Sequence, residues 1–307
     1  MSFFSLKKQA PVQIYNRETN AVEKENVFEE KFMDIFYGTS IGRCITRACL
    51  SRKFFSKIYG RRQKQPASTR HIRPFIEKYD INIDELEKPV SKFQNFNEFF
   101  TRKLRSSARP IAKDPETLIA PADGRLLVYT LKDDLILPVK GRTFTLGELL
   151  GDDEAANVWQ GGCCVKLRLA PSDYHRFCYI DSGFHGPVIH VDGKFHSVSP
   201  LALRHNLKIL HGNDREYVLF ETDNFGKVAH IDIGAMVVGK IHQHFRQGTS
   251  FLKGEEKGYF EFGGSTIILL FEPGKVLLDQ DILDYSRKNI ETLVQYGSAI
   301  GKKVHRL

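Results

Sequence analysis

The pattern of apolar and polar residues changes once along the chain, close to Pro110. Before that point the pattern is helical and, over residues 40–59, roughly amphipathic. We predict helices over residues 23–36, 41–59, 73–79 and 97–104, with Asn95 or Asn97 as the cap of the last one. The polar, proline-containing stretch 63–69 is typical of a linker between helices.

After Pro110 the pattern becomes one of short apolar runs separated by glycine, proline and aspartate, which is typical of strands joined by tight turns. The runs that we predict as strands are residues 125–130, 163–169, 217–222, 228–233, 235–242 and 266–272. Helices are predicted over residues 146–150 and 284–295. The predicted fold class is therefore α+β, with a helical region of residues 1–110 followed by a β-rich domain of residues 111–307.

The composition of the 307 residues is that of a globular protein, with 41% hydrophobic and 27% charged residues. No apolar run approaches the roughly 18–20 residues that a membrane-spanning helix needs, and the N-terminal residues lack the long apolar region of a secretory signal. The five cysteines form no C-x-x-C pair, which argues against a zinc ribbon or a disulfide framework. We predict a soluble protein of a reducing compartment.

The net charge of +8 is concentrated in one segment. Residues 41–73, called here the basic segment, contain ten Lys or Arg residues and no Asp or Glu, with apolar and aromatic residues between them. Such a helix can lie in the interface of an anionic membrane, where each cation contributes about 1 kcal/mol. A core-packing helix with a solvated basic face is the second interpretation. Nucleic acid is the third, but no helix-turn-helix, RNP or zinc-finger pattern supports it.

Three short motifs could carry chemistry. In Asp173-Tyr174-His175, an extended backbone would place the carboxylate and the imidazole on one face, as a general base near neutral pH requires. Asp123 lies in the tight turn Pro121-Ala-Asp-Gly124, where a local Asx-turn is the favoured interpretation. In Gly263-Gly264-Ser265, the glycines would let the serine hydroxyl approach the preceding carbonyl carbon; the alternative is a plain turn before a strand.

Two further motifs have structural explanations. His242 and His244 have the spacing of two metal ligands on one strand face, but no carboxylate follows them as a third ligand. Histidines that form hydrogen bonds within a sheet are therefore favoured. The charged stretch 253–258 is typical of a solvated loop. We predict no metal site.

Taken in chain order, the motifs resemble one family. They are Phe96–Arg102 with Arg109-Pro110, Pro121–Gly124, Leu169–Arg176, Gly239–Ile241, Lys253–Gly258 and Phe262–Thr266. No single motif is specific, but their order and spacing are similar to those of phosphatidylserine decarboxylases of the bacterial type with a Gly-Gly-Ser-Thr processing site. The resemblance runs from about Tyr15 to the C-terminal region.

The resemblance implies a self-made cofactor. Ser265 would attack the carbonyl carbon of Gly264, and the cleaved chain would carry a pyruvoyl group at residue 265. That group would form a Schiff base with phosphatidylserine and release carbon dioxide to give phosphatidylethanolamine. The family's pattern makes His175 the base, with Asp123 and Asp173 as supporting catalytic carboxylates.

The resemblance also implies partners and location. The substrate is phosphatidylserine in an anionic membrane, and the two cleavage products, residues 1–264 and 265–307, would remain together as a heterodimer of a large and a small chain. The basic segment would hold the enzyme peripherally at the cytoplasmic face of the cell membrane. No nucleic acid partner is expected, and formation of homo-oligomers is left open.

One position departs from the family's pattern, and two other function classes stay open. Many members continue the histidine motif as His-Arg-x-His, whereas here Cys178 stands in place of the second histidine. An N-terminal-nucleophile hydrolase would cleave at the same bond but keep Ser265 intact with a free amine. A non-enzymatic, membrane-associated β-domain would never cleave, with Cys178 as the mark of lost function.

Overall fold

The computed structural model describes residues 12–25, 60–131, 145–191, 215–234, 241–244, 248–262 and 265–305 of the chain. The helices in these ranges are α1 (Ile72–Tyr79), α2 (Phe96–Phe100), α3 (Leu146–Leu150), α4 (Asp153–Ala156) and α5 (Gln280–Arg287), and residues 60–63 are also helical. Short 3-10 turns are formed by Pro66–His71, Ile83–Glu85, Val90–Lys92, Ser106–Ala108 and Asn157–Trp159. Within the described ranges no helix is both long and apolar enough to cross a membrane.

The strands complete the secondary structure. They are β1 (Gln13–Asn16), β2 (Ala21–Lys24), β3 (Thr117–Ile119), β4 (Gly124–Thr130), β5 (Cys163–Leu169), β6 (Arg176–Cys178), β7 (Gly183–Val191), β8 (Arg215–Thr222), β9 (Gly226–Gly234), β10 (Ile241–Gln243), β11 (Ser250–Phe251), β12 (Glu256–Phe260), β13 (Ser265–Phe271), β14 (Val276–Leu278), β15 (Glu291–Val294) and β16 (Ala299–Lys303).

In the described part of the chain these strands build one large sheet and two small ones. The large sheet has ten strands in the order β11-β7-β8-β9-β13-β5-β4-β15-β1-β2, and the small sheets have the orders β10-β12-β6 and β14-β16-β3. Strand β13 lies near the middle, antiparallel to β9 on one side and to β5 on the other. Every residue of β13 is buried. The prediction of a β-rich domain is confirmed.

Two clusters of buried apolar residues hold the fold together. The larger one covers one face of the large sheet and includes Leu167 and Ile267, with Phe177 and Phe260 from a small sheet. The smaller one, called here the aromatic cluster, joins α1 and α2 to the segment before Ser265. Its members are Ile72, Phe75, Leu86, Phe93, Phe96, Phe99, Phe100 and Phe262. Each buried phenylalanine contributes about 1.5–3 kcal/mol, so the cluster fastens the helical part firmly to that segment.

Five of the sixteen strands in the described ranges follow predicted apolar runs. Strand β5 has the predicted bounds, and β4, β8, β9 and β13 lie within two residues of theirs. Helix α3 also has its predicted bounds, α1 begins one residue early, and α2 is shorter than predicted. Asn95 caps α2, and its side chain accepts a hydrogen bond from Glu98 N at 2.9 Å. The predicted helix 41–59 and most of the predicted strand 235–242 lie outside the described residues.

The predicted helix over residues 284–295 is wrong. Helix α5 ends at Arg287, and Asn289 follows with a φ of 56°, a left-handed conformation that asparagine tolerates and that ends helices. Residues Glu291–Val294 then form β15, which lies between β4 and β1 and buries Thr292 and Val294. Because these side chains are β-branched, they favour a strand where neighbouring strands can cover them.

The described residues before Pro110 are less helical than predicted. Residues 23 and 24, which begin the predicted helix 23–36, belong to β2 at the edge of the large sheet; residues 26–36 lie outside the described ranges. The stretch 63–69 is not a linker, because Pro66–His71 forms a 3-10 turn and the buried Ser68 hydroxyl accepts a hydrogen bond from Phe96 N at 2.9 Å. The division of the chain into domains at residue 110 stays a prediction.

Candidate active site

The strand register brings the predicted site residues to one end of the large sheet. Ser265, the first residue of β13, pairs with Leu169, the last residue of β5. The turn that carries Asp173 and His175 begins directly after Leu169, and β4 begins directly after Asp123 and pairs with this end of β5. Four of the predicted site residues therefore lie at one end of three adjacent strands, whereas Gly264 lies outside the described residues.

A glycine is required at position 124 because a neighbouring strand passes close to it. A Cβ atom on Gly124 would lie 2.7 Å from the carbonyl oxygen of Arg168 and 2.9 Å from the side chain of Leu167. No other residue fits at these distances, so β4 and β5 can approach this closely only with glycine there. The close approach holds Asp123 beside the end of β5 and explains the last residue of the Pro121–Gly124 motif.

Ser265 carries a hydroxyl that is buried at the start of β13. The residue is fully buried, and its Oγ has no hydrogen-bond partner in the described part of the chain. Leaving a buried polar group unpaired costs about 1–3 kcal/mol. Such groups are exceptional in folded proteins, and a catalytic role is one of the few explanations for them.

His175 is buried and is held from two directions. Its Nδ1 lies 3.0 Å from the carbonyl oxygen of Asp173, and its own carbonyl oxygen accepts a hydrogen bond from Phe260 N at 3.0 Å. The Phe100 ring centroid lies 4.1 Å from that of the imidazole. Because a carbonyl oxygen only accepts, Nδ1 carries the proton and Nε2 is the basic nitrogen of the neutral ring. This tautomer suits a general base that acts through Nε2.

The Asp173 carboxylate is not bonded to the imidazole, contrary to the prediction. Residues 171–173 form a turn and not a strand, so side chains two positions apart do not share a face. The carboxylate instead accepts hydrogen bonds from Arg125 and, at 2.6 Å, from Ala170 N. Asp173 therefore shapes the turn with its side chain and orients His175 with its backbone carbonyl.

Asp123 binds an arginine and does not form the expected local turn. Its carboxylate accepts hydrogen bonds from Arg109 Nε at 2.9 Å and Nη2 at 2.8 Å, and from Tyr296 N at 2.8 Å. Burial opposes the charge on Arg109, but the hydrogen bonds and attraction of Asp123, together with Glu85, outweigh burial and raise the pKa of the guanidinium. The paired carboxylate ties three segments of the chain together.

Arg102 adds a second buried cation at this end of the sheet. Its Nη2 donates to the carbonyl oxygens of Ser172 at 3.0 Å and Asp173 at 3.3 Å. Burial lowers the pKa of Arg102 to about 10, and the attraction of Asp123 and Asp173 partly offsets the effect of burial. The guanidinium therefore stays protonated at neutral pH and helps hold the turn that carries His175.

The chain is similar to known proteins over nearly its whole length. The family model described as phosphatidylserine decarboxylase matches residues 96–302. A phosphatidylserine decarboxylase proenzyme of Clostridium beijerinckii is 42% identical over 95% of this chain and 99% of the relative. A proenzyme of the same name from Chlamydia muridarum is 43% identical over 94% of this chain and 96% of the relative. The chain belongs to the phosphatidylserine decarboxylase family.

The sequence predicted no role for three arginines of this decarboxylase family member: Arg102, Arg109 and Arg125. Arg102 and Arg109 lie in the motifs that carry the resemblance, but spacing alone does not show that they bind the carbonyls and carboxylates of the site. Arg125 interrupts a strand whose neighbouring residues Leu126 and Leu127 are buried and apolar. A cation inside a buried strand needs a carboxylate partner. The position of Arg125 in an apolar strand could therefore have indicated a buried ion pair, but not which carboxylate forms it.

The residue in place of the family's second histidine is a protonated thiol. Cys178 is fully buried, and its Sγ lies 3.9 Å from the carbonyl oxygen of Ala120. Burial raises the pKa of Cys178 to about 12. At neutral pH the thiol is therefore neither a base nor a nucleophile.

The remaining sequence motifs have structural roles. His242 and His244 lie 2.8 Å and 2.9 Å from carboxylate oxygens of Glu261 and Glu256, which confirms the hydrogen-bonding interpretation. In the described part of the chain no three potential ligands are grouped as a metal site. The charged stretch 253–258 is not a solvated loop throughout, because Lys257 is fully buried and its ammonium lies 2.6 Å from Asp232.

Proposed function

We propose that this protein decarboxylates phosphatidylserine to phosphatidylethanolamine with a pyruvoyl group that it makes from its own Ser265. The observation that carries the proposal is the buried Ser265 hydroxyl, which has no partner in the described part of the chain and follows two glycines at the start of a central strand. The relatives that share about 40% of the sequence are named proenzymes, which supports a processing step.

The residues present suit a serine-derived pyruvoyl group. Ser265 supplies the hydroxyl and the carbon atoms, and none of the described residues uses its Oγ in a hydrogen bond. The residue before it is glycine, so no side chain hinders attack on the preceding carbonyl carbon. When formed, the pyruvoyl carbonyl supplies the electron sink for the bond that releases carbon dioxide.

Processing follows from the chemistry of the serine. His175 removes the proton of the Ser265 hydroxyl, and Oγ attacks the carbonyl carbon of Gly264, so that the amide becomes an ester and the nitrogen of Ser265 leaves. Removal of the α-proton of residue 265 then expels the carboxylate of Gly264 and leaves dehydroalanine. Addition of water releases ammonia and leaves the pyruvoyl group at residue 265.

The charged residues position this chemistry. Asp173 holds Nδ1 of His175 through its carbonyl, so that Nε2 serves as the base, and Arg125 fixes Asp173. Asp123 is paired with Arg109 and acts as a supporting carboxylate beside the end of β5. We assign His175 a second role in turnover, in which it positions the substrate carboxylate or holds the proton that the product receives.

The two chains would stay together after cleavage because strands of the small chain lie between strands of the large chain in the large sheet. Strand β13 of the small chain lies between β9 and β5 of the large chain, and β15 lies between β4 and β1. All of these neighbours belong to residues 1–264. Strand β16 of the small chain also pairs with β3, so the backbone hydrogen bonds of five strand interfaces in the described residues support a heterodimer of large and small chains.

We propose a peripheral location at the cytoplasmic face of an anionic membrane. The basic segment supports attachment through charge, and the structure describes its residues 60–73, where Arg61, Arg62, Arg70 and Arg73 are exposed. Vesicle binding that weakens steeply with salt is the expected result, because added salt screens exposed charges. Binding that salt does not change would favour apolar insertion. Formation of homo-oligomers stays a prediction.

An intact mass of the purified protein under denaturing conditions tests the proposal. We expect two chains, of which the smaller begins at residue 265 and is lighter than its encoded mass by one ammonia. A small chain of unmodified mass with a free amine would indicate a hydrolase, and a single intact chain would contradict self-processing.

Substitution of the serine and of its neighbour locates the reactive hydroxyl. Ser265→Ala should remain full length, whereas Thr266→Val should be cleaved normally. Thr266 is a matched control because its hydroxyl is also buried and unpaired in the described part of the chain, but it points to the opposite face of β13. Cleavage of Ser265→Ala would remove Ser265 from the nucleophile role.

A further inference from the structure

We propose that Asn97 is a positioning residue for self-cleavage, which holds the chain before the Gly264–Ser265 bond through the amide of Phe262; this inference rests on the proposed decarboxylase function. The side-chain Oδ1 of Asn97 accepts a hydrogen bond from Phe262 N at 3.2 Å. Phe262 lies two residues before Gly264, whose carbonyl carbon is attacked in the proposed processing step. The hydrogen bond therefore joins the Phe96–Arg102 motif to the chain that leads to Ser265.

Helix α2 does not itself need an asparagine at position 97. Asn95 already caps this helix, and its side chain accepts a hydrogen bond from Glu98 N. Inside a helix asparagine is unfavourable, because its side chain competes with the backbone for hydrogen bonds. The carbonyl oxygen of Asn97 accepts from Thr101 N at 2.9 Å, as in a helical turn, whereas its side chain binds Phe262 outside the helix. The asparagine at position 97 therefore serves a contact beyond α2.

The two residues before this contact are held as well. Phe260 N donates to the carbonyl oxygen of His175 at 3.0 Å, which ties the chain to the residue that carries the candidate base. The Glu261 carboxylate lies 2.6 Å from the ammonium of Lys64. The ring of Phe262 itself belongs to the aromatic cluster. Of the three residues, Phe262 comes last before the scissile bond, so the hydrogen bond at its amide fixes the point from which the two glycines start.

A fixed point at Phe262 matters because only two glycines separate it from Ser265 in the sequence. Glycine restricts the backbone least of all residues, so a Gly-Gly step by itself does not set the direction of the Gly264 carbonyl. On the other side, Ser265 is fixed by the pairing of β13 with β5 and β9. The reacting atoms must come within about 3–3.5 Å in the right alignment, and misplacement by about 1 Å can cost about 100-fold in rate. Asn97 limits the positions from which the two glycines lead to the serine.

The test compares two asparagines that lie two positions apart. Asn97→Ala removes the acceptor for Phe262 N but places a better helix former in α2, so we expect a folded protein that cleaves about tenfold or more slowly. Asn97→Asp keeps an acceptor oxygen at the same place and should recover most of the rate. Asn95→Ala is the matched control, because it removes the cap of α2 but not the contact with Phe262; it should lower the denaturant midpoint and keep the cleavage rate within about twofold.

Two further measurements separate positioning from a general loss of structure. In the Ser265→Ala background, the amide hydrogen of Phe262 should exchange up to about tenfold faster in Asn97→Ala than in Asn97→Asp, because one hydrogen bond is lost. With Ser265 present, hydroxylamine cleaves the ester that follows attack on Gly264 and releases residue 265 as an unmodified serine. It should not speed the cleavage of Asn97→Ala, because formation of the ester is the step that slows.

Four results would overturn the proposal: normal cleavage of Asn97→Ala, equal slowing by Asn95→Ala, no recovery in Asn97→Asp, or rapid release of the small chain from Asn97→Ala by hydroxylamine. If Asn97→Ala does not fold, Asn97→Ser takes its place, because its hydroxyl oxygen lies one bond closer to the backbone and the same slowing is expected. Failure of the unsubstituted chain to cleave would contradict the proposed function, whereas unchanged exchange of the Phe262 amide would contradict the contact with Asn97 alone.

Discussion

Two buried ionic networks flank strand β13 from opposite faces of the large sheet. The first, called here the arginine network, contains Arg125, Lys166 and Arg168 with Glu25, Glu291 and Asp173. The second, called here the lysine cluster, contains Lys257, Asp232, His230 and Gln243. Register places Arg168 opposite Thr266 and Asp232 opposite Ile267, so the two sets lie on opposite faces.

The arginine network reaches the active-site turn through Arg125. Arg168 binds Glu25 at 2.8 Å and Glu291 at 2.5 Å, and Arg125 binds Glu25 at 2.8 Å. Arg125 also binds Asp173, whose carbonyl holds the imidazole of the candidate base. A chain of ion pairs therefore connects the middle of the sheet to the active-site turn.

The lysine cluster is paired mainly within itself, with one further hydrogen bond from Gln243 Nε2 to Glu216 at 3.3 Å. The Lys257 ammonium lies 2.6 Å from Asp232 and 2.9 Å from the Gln243 side-chain oxygen. Asp232 also binds His230 and the Gln243 amide, each at 2.9 Å. Asp232 and Ser265 lie on the same face of the sheet, but among the described residues the ion pairs and side-chain hydrogen bonds of the cluster include none to Ser265, Asp123 or Asp173.

Both networks lie close to β13, but they differ in whether their bonds reach the active-site turn. Both networks bury charges that are stable only while every partner is present. Only the arginine network ends on a residue that positions the chemistry. We therefore expect damage to it to affect both stability and processing, and damage to the lysine cluster to affect stability alone.

Arg125→Met should have the largest effect. It leaves the carboxylates of Glu25 and Asp173 without this cation in a buried site, which should destabilise the fold by about 3–5 kcal/mol. The turn also loses its anchor, so cleavage at Ser265 should slow by about 10–100-fold, as expected when a reactive group is misplaced by about 1 Å. Denaturant unfolding in the Ser265→Ala background measures the loss of stability. The rate at which the small chain appears, with Ser265 present, measures the loss of cleavage.

Arg125→Lys is the matched control for charge. Lysine keeps the positive charge but cannot bind two carboxylates in the fixed geometry of a guanidinium, so intermediate losses are expected. Normal cleavage in folded Arg125→Met would show that the turn does not depend on the network.

Lys257→Met should destabilise the protein to a similar extent but leave the chemistry intact. Asp232 would lose its buried cation, which should lower the free energy of unfolding by about 3–5 kcal/mol. The folded fraction should cleave at the normal rate, because the described ion pairs and side-chain hydrogen bonds of the cluster do not include Ser265 or Asp173. A slow cleavage rate in the folded fraction would place Lys257 in the active site.

The double variant Lys257→Met with Asp232→Asn tests whether the pair is the cause. Because the charge left unpaired in the single variant is removed, the double variant should be less destabilised than the sum of the two single changes. Simple addition of the two effects would mean that packing, and not the ion pair, accounts for the loss.

The comparison also shows what could be predicted from the sequence. Strand positions followed from apolar runs because β4, β5 and β13 are covered on both faces, and the end of each run is marked by a turn residue. The site residues Asp123, His175 and Ser265 followed from the resemblance, and the strand register places them at one end of the sheet.

The partners of those residues could not be predicted in the same way. Arg109 lies 14 positions from Asp123, Arg125 lies 48 from Asp173, and Lys257 lies 25 from Asp232. Such pairs depend on which strands become neighbours, and local propensity carries no information about that. Lys257 was predicted as solvated for the same reason, since its charged neighbours in sequence gave no sign of the buried aspartate on another strand.

Acid should weaken the protein first through His185, a buried histidine close to the lysine cluster. Burial, with the charges of Lys257 and His230, lowers the pKa of His185 to about 4, against about 6.5 in an unfolded chain. Below pH 6.5 the unfolded state takes up a proton that the folded state does not, so stability should fall as the pH drops from 6.5 to about 4, by at most about 1.4 kcal/mol per pH unit. Lys257 and His230 hold the pKa of Asp232 well below its ordinary value against the effect of burial, so the stability that this carboxylate contributes is lost mainly below about pH 4.

His185→Phe should flatten the pH dependence of the free energy of unfolding between pH 6.5 and 4. His190→Gln is the control, because its side chain is 70% exposed. Denaturant unfolding at several pH values in the Ser265→Ala background measures both slopes. An unchanged slope in His185→Phe would leave His230, whose pKa burial also lowers, as the titrating group of this region.

Cys178→Ala should have the smallest effect of all. The thiol has a pKa of about 12 and is therefore protonated at neutral pH, so it cannot serve as a base for Ser265. Cys164→Ala is the matched control, since Cys164 is also fully buried but lies on strand β5, on the face of the arginine network. Both variants should release the small chain at a rate within about twofold of the unsubstituted protein, as expected for small changes at residues that take no part in the chemistry.

If Cys178→Ala alone stops cleavage, the thiol takes part in processing. Cys178→His then becomes the variant that shows whether an imidazole there restores or exceeds the original rate.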